Sequence, residues 1–359
     1  MISRASPACA ALIATTLVCL GLLGCTRADP VYNSRVPAFG TVIDVSILGV
    51  PKKTAEWAAG EIDADFSYMQ RAWHAWHPGP LGRTNRLLAT GETFAAPPSV
   101  LPLIEKSMRL SSLSDDLFNP ALGKLIARWG FHSDVPQCVD LPTSEEVARL
   151  VALNPRMSDI TLDGITLRSS NPSVQLDFRG IAKGYAIDKA IEHLRQMDIQ
   201  NAIVNAGGDL RAIGSRDGQP WRVAIRRPSG TGVFATVDVE GDESVFTLGD
   251  YERHSACDGT NYHRVIDPRT GYPAKGTRSV TVLHTDAATA DAAATALFVA
   301  GPGRWYEIAQ RMGIRYVLLV DSHGTLHMNP AMQERLTFLD PAPDISVSPP
   351  LTGPGDPRS

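Results

Sequence analysis

The chain has 359 residues, 34 basic against 38 acidic side chains, and a pI near 6.1. A charged fraction of 20 % with a formal net charge of −4 excludes the basic footprint of a nucleic-acid binder. An apolar fraction of 43 % excludes disorder over most of the length and supplies an ordinary globular core.

Residues 1–24 carry one charge, Arg4, followed by an apolar run from Ala10 to Gly24. This is the pattern of a cleaved export signal, too short and wrongly flanked for a membrane span. It ends in Leu22-Leu23-Gly24-Cys25, which resembles the lipobox of bacterial lipoproteins, so Cys25 is the expected lipidation site; a plain secretory signal with an incidental Cys is the alternative. Acyl chains on Cys25 would tether the protein to a bilayer surface. Thr26 in the second mature position, rather than Asp, favours the outer membrane by the same resemblance. Of the five Cys, Cys9 and Cys19 leave with the signal, so Cys138 and Cys257 are the pair available for oxidation.

Residues 25–37 read as a polar, lipidated tether, and the Pro-rich stretch 340–359 as a disordered tail. Between them, 38–335 lacks a long linker or repeat and reads as one domain, with two lobes. Val42 to Ile47 alternates as a strand, and helical spacing covers Lys53 to Trp73, with Trp57, Ile62 and Phe66 among its apolar positions. Pro98 to Leu113 is a second helix, and Thr143-Ser144-Glu145-Glu146 opens a third with a hydroxyl cap. Asp163-Gly164-Ile165-Thr166 is a hairpin turn. Ile181 to Met197 is helical. Short β-rich runs follow at 202–204, 221–225, 234–239 and 279–283, then an Ala-rich helix over Thr289 to Val299 and a buried strand at 316–320. Strands cluster late instead of alternating with helices, which predicts an α+β fold with mixed or antiparallel sheets.

Several stretches carry chemistry. Asp291, Ala294 and Thr295 share one helix face, and a carboxylate one turn from a hydroxyl supplies hard oxygen ligands suited to Mg²⁺. The alternative is a Thr hydroxyl bonded back to the preceding turn. Leu176 to Tyr185 runs from an apolar strand through Asp177, Arg179-Gly180 and Lys183 into a helix start, where backbone N–H groups and an ammonium could meet phosphate; a plain turn is the alternative. Asn205-Ala206-Gly207-Gly208-Asp209 allows close backbone approach or a tight turn. Asp267-Pro268-Arg269-Thr270-Gly271 has the order of a β-turn, with unusual polar density before it at His263-Arg264.

Together these blocks resemble the ApbE family of FAD:protein FMN transferases, in order, over residues 38–330. The matching blocks are Phe39-Gly40-Thr41, Phe118-Asn119-Pro120 with Arg128-Trp129-Gly130-Phe131, Asp177 to Asp188, Asn205 to Asp209, Gly249 to Arg253, Asp267 to Pro273, and Ala290-Asp291 through Thr295 to Gly301. The resemblance implies a Mg²⁺-dependent enzyme that cleaves FAD, passes FMN to a Thr hydroxyl of a target flavoprotein and releases AMP. It also implies roles residue by residue. Asp291 and Thr295 would bind the metal by side chains, and Gly180 and Ala294 by backbone oxygens. Phe39 and Trp76 would meet the flavin or adenine ring, while Leu117, Phe118, Asn119, Asp177, Lys183 and Val265 would line the FAD cleft. The implied partners are FAD and a periplasm-facing acceptor flavoprotein of a redox complex, with membrane contact through the lipid anchor only and no nucleic acid. The implied location is the periplasmic face of a bacterial membrane.

Three departures stand out. Phe39 replaces the family's Met, and Arg179-Gly180 replaces a Gly pair. The family's His three residues before the Asp of its turn is Arg264 here, preceded by His263. Arginine stays protonated and cannot act as a general base, though it can neutralise phosphate. In an extended segment 263 and 264 face opposite ways, so His263 reaches the cleft only where the strand is bulged. His263 and Arg264 are therefore the candidate catalytic pair for transfer. The alternative function is a periplasmic FAD-binding or FAD-hydrolysing lipoprotein without an acceptor; a third is a surface lipoprotein kept for interaction alone.

Overall fold

A computed structural model describes residues 31–132, 141–228, 232–239, 241–251, 254–257, 260–340 and 344–351. The expected signal, Cys25 and Cys138 lie outside these residues, as do Glu252 and Arg253. The described chain opens with strands β1 (Tyr32–Ala38) and β2 (Thr41–Leu48), then helices α1 (Lys52–Ala72) and α2 (Pro80–Leu88). Strand β3 (Phe94–Ala95), helices α3 (Leu101–Leu113), α4 (Gly123–Arg128) and α5 (Ser144–Ala152), and the hairpin β4 (Ile160–Asp163) to β5 (Thr166–Ser169) follow. Helix α6 (Ala182–Gln196) leads into β6 (Asn201–Ala206), β7 (Asp209–Gly214), β8 (Trp221–Arg226), β9 (Val233–Val239) and β10 (Gly241–Gly249). Then come β11 (His254–Cys257), β12 (Thr260–His263), β13 (Thr277–His284), α7 (Ala287–Arg311) and β14 (Tyr316–Asp321). The described chain closes with β15 (Leu326–Met328), α8 (Pro330–Arg335), β16 (Leu336–Phe338) and β17 (Ile345–Val347).

Nine strands form the central sheet in the order β1-β2-β6-β7-β10-β13-β14-β15-β17, antiparallel except for the final β15–β17 pair. The expected α+β class with mixed sheets is the observed one. Period-two alternation divides the sheet's side chains between two cores. In β14, Val317 and Leu319 join the helices in the main core, while Leu318 and Val320 face a second core under the small sheet β16-β9-β8. In β10, Phe246 and Val245 split the same way. Both faces are covered, so these strands read as continuous apolar runs.

Helix boundaries follow their caps. Thr143 and Glu146 form a reciprocal capping box on α5, as its sequence indicates. Helix α7 starts two residues earlier than expected because Asp286 caps it, accepting from Thr289 N at 2.7 Å. It also runs past Val299 to Arg311, broken at Gly301 (φ 67°) before Pro302. The Asp163–Thr166 turn is a hairpin as expected, with Gly164 at φ 55°.

Three expectations are corrected. The tether does not extend to residue 37: Tyr32–Ala38 pairs along its whole length with β2 as an edge strand. Its Asn, Ser, Arg and Pro residues suit an edge, where polar side chains and Pro block further pairing. The tail is not wholly irregular, because Ile345–Val347 adds to the opposite edge and Leu351 sits 4 % exposed in the main core. Trp57 lies on α1, but at 59 % exposure it faces outward, whereas Ile62 and Phe66 are buried. Among the described residues, no helix is long and apolar enough to cross a membrane.

Candidate active site

The residues singled out for metal, flavin and catalytic roles, from Phe39 to Thr295, line one cavity of about 270 Å³. Its first wall is the β1–β2 hairpin tip. Phe39 and Gly40 form a two-residue turn with φ 51° and 69°, the twist that antiparallel hairpins favour. A side chain in this left-handed region costs about 1 kcal/mol, so Phe39 is held there by its surroundings. Its N–H donates to Gln70 Oε1 at 2.9 Å, and its ring stacks on Trp73 at 6.2 Å with 27° between planes. Beyond the end of α1, Trp76 meets His132 edge-on at 5.7 Å.

The second wall is the Leu117-Phe118-Asn119 segment. Ser111 Oγ donates to the Phe118 carbonyl at 2.8 Å, and the Phe118 N–H donates to Ser114 Oγ at 3.1 Å. The Asn119 side chain is spent inside the wall, accepting from Ala121 N at 3.0 Å and donating to the Pro155 carbonyl at 3.0 Å. Asp177 is likewise committed: the Arg179 guanidinium clasps its carboxylate, with contacts of 2.5–3.1 Å. The arginine that replaces a family glycine thus shields the Asp177 charge.

The third wall joins α6 to α7. Asp188 accepts from Ala287 N at 2.9 Å and Ala288 N at 3.0 Å, and Arg211 donates to the same carboxylate at 2.5 Å. One carboxylate therefore ties the start of α7 to α6 and to β7. Gly184 permits the close approach, since a Cβ there would lie 2.3 Å from the Ala287 carbonyl oxygen. The Gly184 N–H donates to Asp291 Oδ2 at 3.0 Å. Lys183 pairs with Asp209, whose other oxygen accepts from Thr247 N at 2.9 Å. Asn205 to Asp209 is the tight turn its glycines suggest, with φ 71° and 116° at Gly207 and Gly208.

Asp291, Ala294 and Thr295 do share a face, and Gly180 lies against it: a Cβ at Gly180 would sit 3.1 Å from Thr295 Oγ1. Thr295 Oγ1 donates back to the Asp291 carbonyl at 3.3 Å, the alternative that the sequence left open. Burial pushes the Asp291 carboxyl up to about 7; Lys183 opposes the rise and Asp209 adds to it. Among the described residues, no group of three His, Cys, Asp or Glu could hold a metal ion. The hard-oxygen set of one carboxylate, one hydroxyl and nearby carbonyls suits Mg²⁺ better than zinc.

The fourth wall holds His263, Arg264 and Val265. Strand β12 ends at His263 and the chain bends at Arg264, so both residues line the cavity instead of facing opposite ways. The His263 imidazole is engaged at both nitrogens. Nε2 meets the Ala274 carbonyl at 2.8 Å and Nδ1 meets Val265 N at 3.3 Å, a pair satisfied when Nε2 carries the hydrogen. Burial lowers the His263 pKa, against the raising effects of the Ala274 carbonyl and Asp250. The following turn has the expected form, with Gly271 N donating to the Asp267 carbonyl at 2.8 Å.

Sequence reasoning did not single out Gln70, Trp73, His74, His132 or Thr247 as lining residues. Gln70 and Trp73 stand one helical turn apart at the end of α1, a spacing visible in the sequence once the helix end is known. Asp209 was visible only as part of a turn, and its pairing with Lys183 depends on the sheet.

The model of the ApbE family matches residues 39–318. A Rhodobacter capsulatus protein named FAD:protein FMN transferase is 40 % identical over 336 residues, covering 93 % of this chain. The chain spans 64 % of the length of that relative. A Vibrio cholerae protein of the same name is 31 % identical over 83 % of this chain and 90 % of its own length. Among solved structures, the ApbE protein of Thermotoga maritima matches with a TM-score of 0.78 at 30 % identity, over 85 % of this chain and 99 % of that one. Flavin Transferase ApbE from Vibrio cholerae matches with a TM-score of 0.74 at 28 % identity, over 86 % of this chain and 100 % of that one.

Proposed function

This chain belongs to the ApbE family, and on that premise we propose that it transfers FMN from FAD to a threonine hydroxyl of an acceptor flavoprotein, releasing AMP. The observation that carries the reading is Asp291, a buried carboxyl that accepts from Gly184 N, with Thr295 and Gly180 beside it. Asp291 and Thr295 side chains, with the Gly180 and Ala294 carbonyls, would hold Mg²⁺. When bound, the ion supplies positive charge to the pyrophosphate oxygens. Phe39 and Trp76 offer aromatic faces to the flavin or adenine ring, and Lys183 adds an ammonium beside the phosphates. In the reaction the acceptor oxygen bonds to the FMN phosphorus, the pyrophosphate bond to AMP breaks, and the hydroxyl proton leaves to a base. Arg264 can neutralise charge on the departing AMP but cannot take that proton. The lipobox supports an anchored location on the periplasmic face of a bacterial membrane.

The engagement of both His263 ring nitrogens favours one second reading, FAD hydrolysis or FAD binding without a protein acceptor. Incubating residues 26–359 with FAD and Mg²⁺, with and without an acceptor flavoprotein, separates the two. Acceptor flavinylation with stoichiometric AMP is the expected outcome; free FMN and AMP at equal rates in both tubes would support hydrolysis instead. Arg264→His is expected to raise transfer. His263→Ala is expected to lower it by disturbing the Val265 backbone, and unchanged transfer in that variant would remove His263 from the machinery.

A further inference from the structure

The correction at the N-terminus changes the reach of the lipid anchor. Thirteen residues of tether could span about 45 Å, but with β1 beginning at Tyr32 only the six residues 26–31 separate it from Cys25, a reach of about 20 Å. The end of the domain that carries Tyr32 must therefore stay close to the bilayer. Tyr32 pairs with Ile47, two residues before Gly49, and α1 begins directly after that loop at Lys52. From there α1 runs back alongside β1 until Gln70 meets Phe39 at the cleft. The first turns of α1 thus share the membrane-proximal end with Tyr32, and the cleft lies at the other end.

That first stretch presents Lys52, Lys53, Glu56, Trp57 and Glu61 to solvent. Trp57 is 59 % exposed, whereas Trp73, Trp129, Trp221 and Trp305 are at most 8 % exposed. Trp57 belongs to none of the hydrophobic clusters, and indoles favour the headgroup level of a bilayer. The two lysines are balanced by the two glutamates, one of them 3.5 Å from Lys52, so charge contributes little net attraction. We propose that the N-terminal turns of α1 rest on the phospholipid headgroup surface through Trp57, fixing the orientation of the domain beneath its anchor. This rests on the anchored reading above. It adds a second membrane contact to the lipid, and it holds the cleft roughly 20 Å along α1 from the contact, as thirteen residues of helix require.

The test uses the full lipidated protein in phosphatidylcholine vesicles carrying bromine on acyl carbons near the headgroups. Wild-type tryptophan emission should shift to the blue and be quenched, and Trp57→Phe should lose both effects while keeping FMN transfer to a soluble acceptor. Replacing part of the lipid with anionic phosphatidylglycerol should change the quenching little. Equal quenching in wild type and Trp57→Phe, or a Trp57 that aqueous iodide reaches as well on vesicles as in residues 26–359, overturns the proposal. Failure of the wild-type protein to float with vesicles overturns the anchored reading, and the proposal with it.

Discussion

Replacing Gly184 with alanine tests whether the α6–α7 contact sets the geometry of the site. The added Cβ would lie 2.3 Å from the Ala287 oxygen, 2.6 Å from its carbonyl carbon and 2.8 Å from the Ala288 Cα, all backbone atoms. Restoring ordinary contact requires the helices to separate by roughly 1 Å, because a packed interior has no slack to absorb it. Three hydrogen bonds cross that contact, from Gly184 N to Asp291 and from Ala287 N and Ala288 N to Asp188, at 2.9–3.0 Å. An added 1 Å takes them outside bonding range. Overpacking costs about 1–3 kcal/mol and each weakened buried bond about 1 kcal/mol more, against a gain of about 1 kcal/mol from alanine's helix propensity. The expected net loss is about 3–5 kcal/mol, read as a lower melting temperature. Displacing Asp291 by a comparable distance is expected to reduce AMP release about 100-fold. Gly60 in α1 is the control: nothing lies within 4 Å of a Cβ there, so Gly60→Ala changes propensity alone. If Gly184→Ala melts and reacts like Gly60→Ala, the contact does not set the site and the reasoning fails.

Two further outcomes follow from particular residues. In metal-free protein the Asp291 carboxyl sits near 7 against an ordinary 3.8. Between those values the folded chain keeps a proton that the unfolded chain has released, so stability should fall as pH rises through that window, by up to about 4 kcal/mol. Asp291→Asn should flatten the slope of urea midpoint against pH, and parallel curves for the two proteins would refute it. A chain ending at Pro343 loses β17, buried Leu351 and the bond from Tyr306 to the Pro350 carbonyl. About 2 kcal/mol for Leu351 alone predicts a lower melting temperature with FAD cleavage retained, since none of these residues lines the cleft. Unchanged melting would mean the C-terminal strand adds no stability.

The long amphipathic helices and buried strands were legible because their periodicity is imposed by the cores they face. The edge strands were not. Tyr32–Ala38 and Ile345–Val347 contact the core on at most one side, so polar residues and prolines obscure their alternation. Trp57 was misplaced because an apolar residue at helical spacing looks the same whether it faces the core or solvent. At the site, residue identities were legible through ordered motifs, but their commitments were not. Whether Asn119 faces a ligand or its own wall depends on Pro155, thirty-six residues away. The partner that occupies Asp177 is a neighbour in sequence, yet nothing in an Asp-Phe-Arg run states that the two side chains fold back together. His263 was the hardest, because the bend at Arg264 and the Ala274 carbonyl together decide where its nitrogens point.

The hairpin tip at Phe39 and the helix face at Thr295 stand far apart in the sequence, yet they close the same cavity. Long-range closure of this kind is slow, because the intervening chain must be ordered before the contact is rewarded. A chain emerging from the ribosome has β1, β2 and α1 in hand early, but no pocket until α7 arrives. Flavin therefore cannot template the early stages of folding, and a chain exported unfolded, as the proposed signal implies, would leave the cytoplasm without it. The cleft is assembled only where the chain completes its fold, and under the proposed activity FAD would have to be available in that compartment.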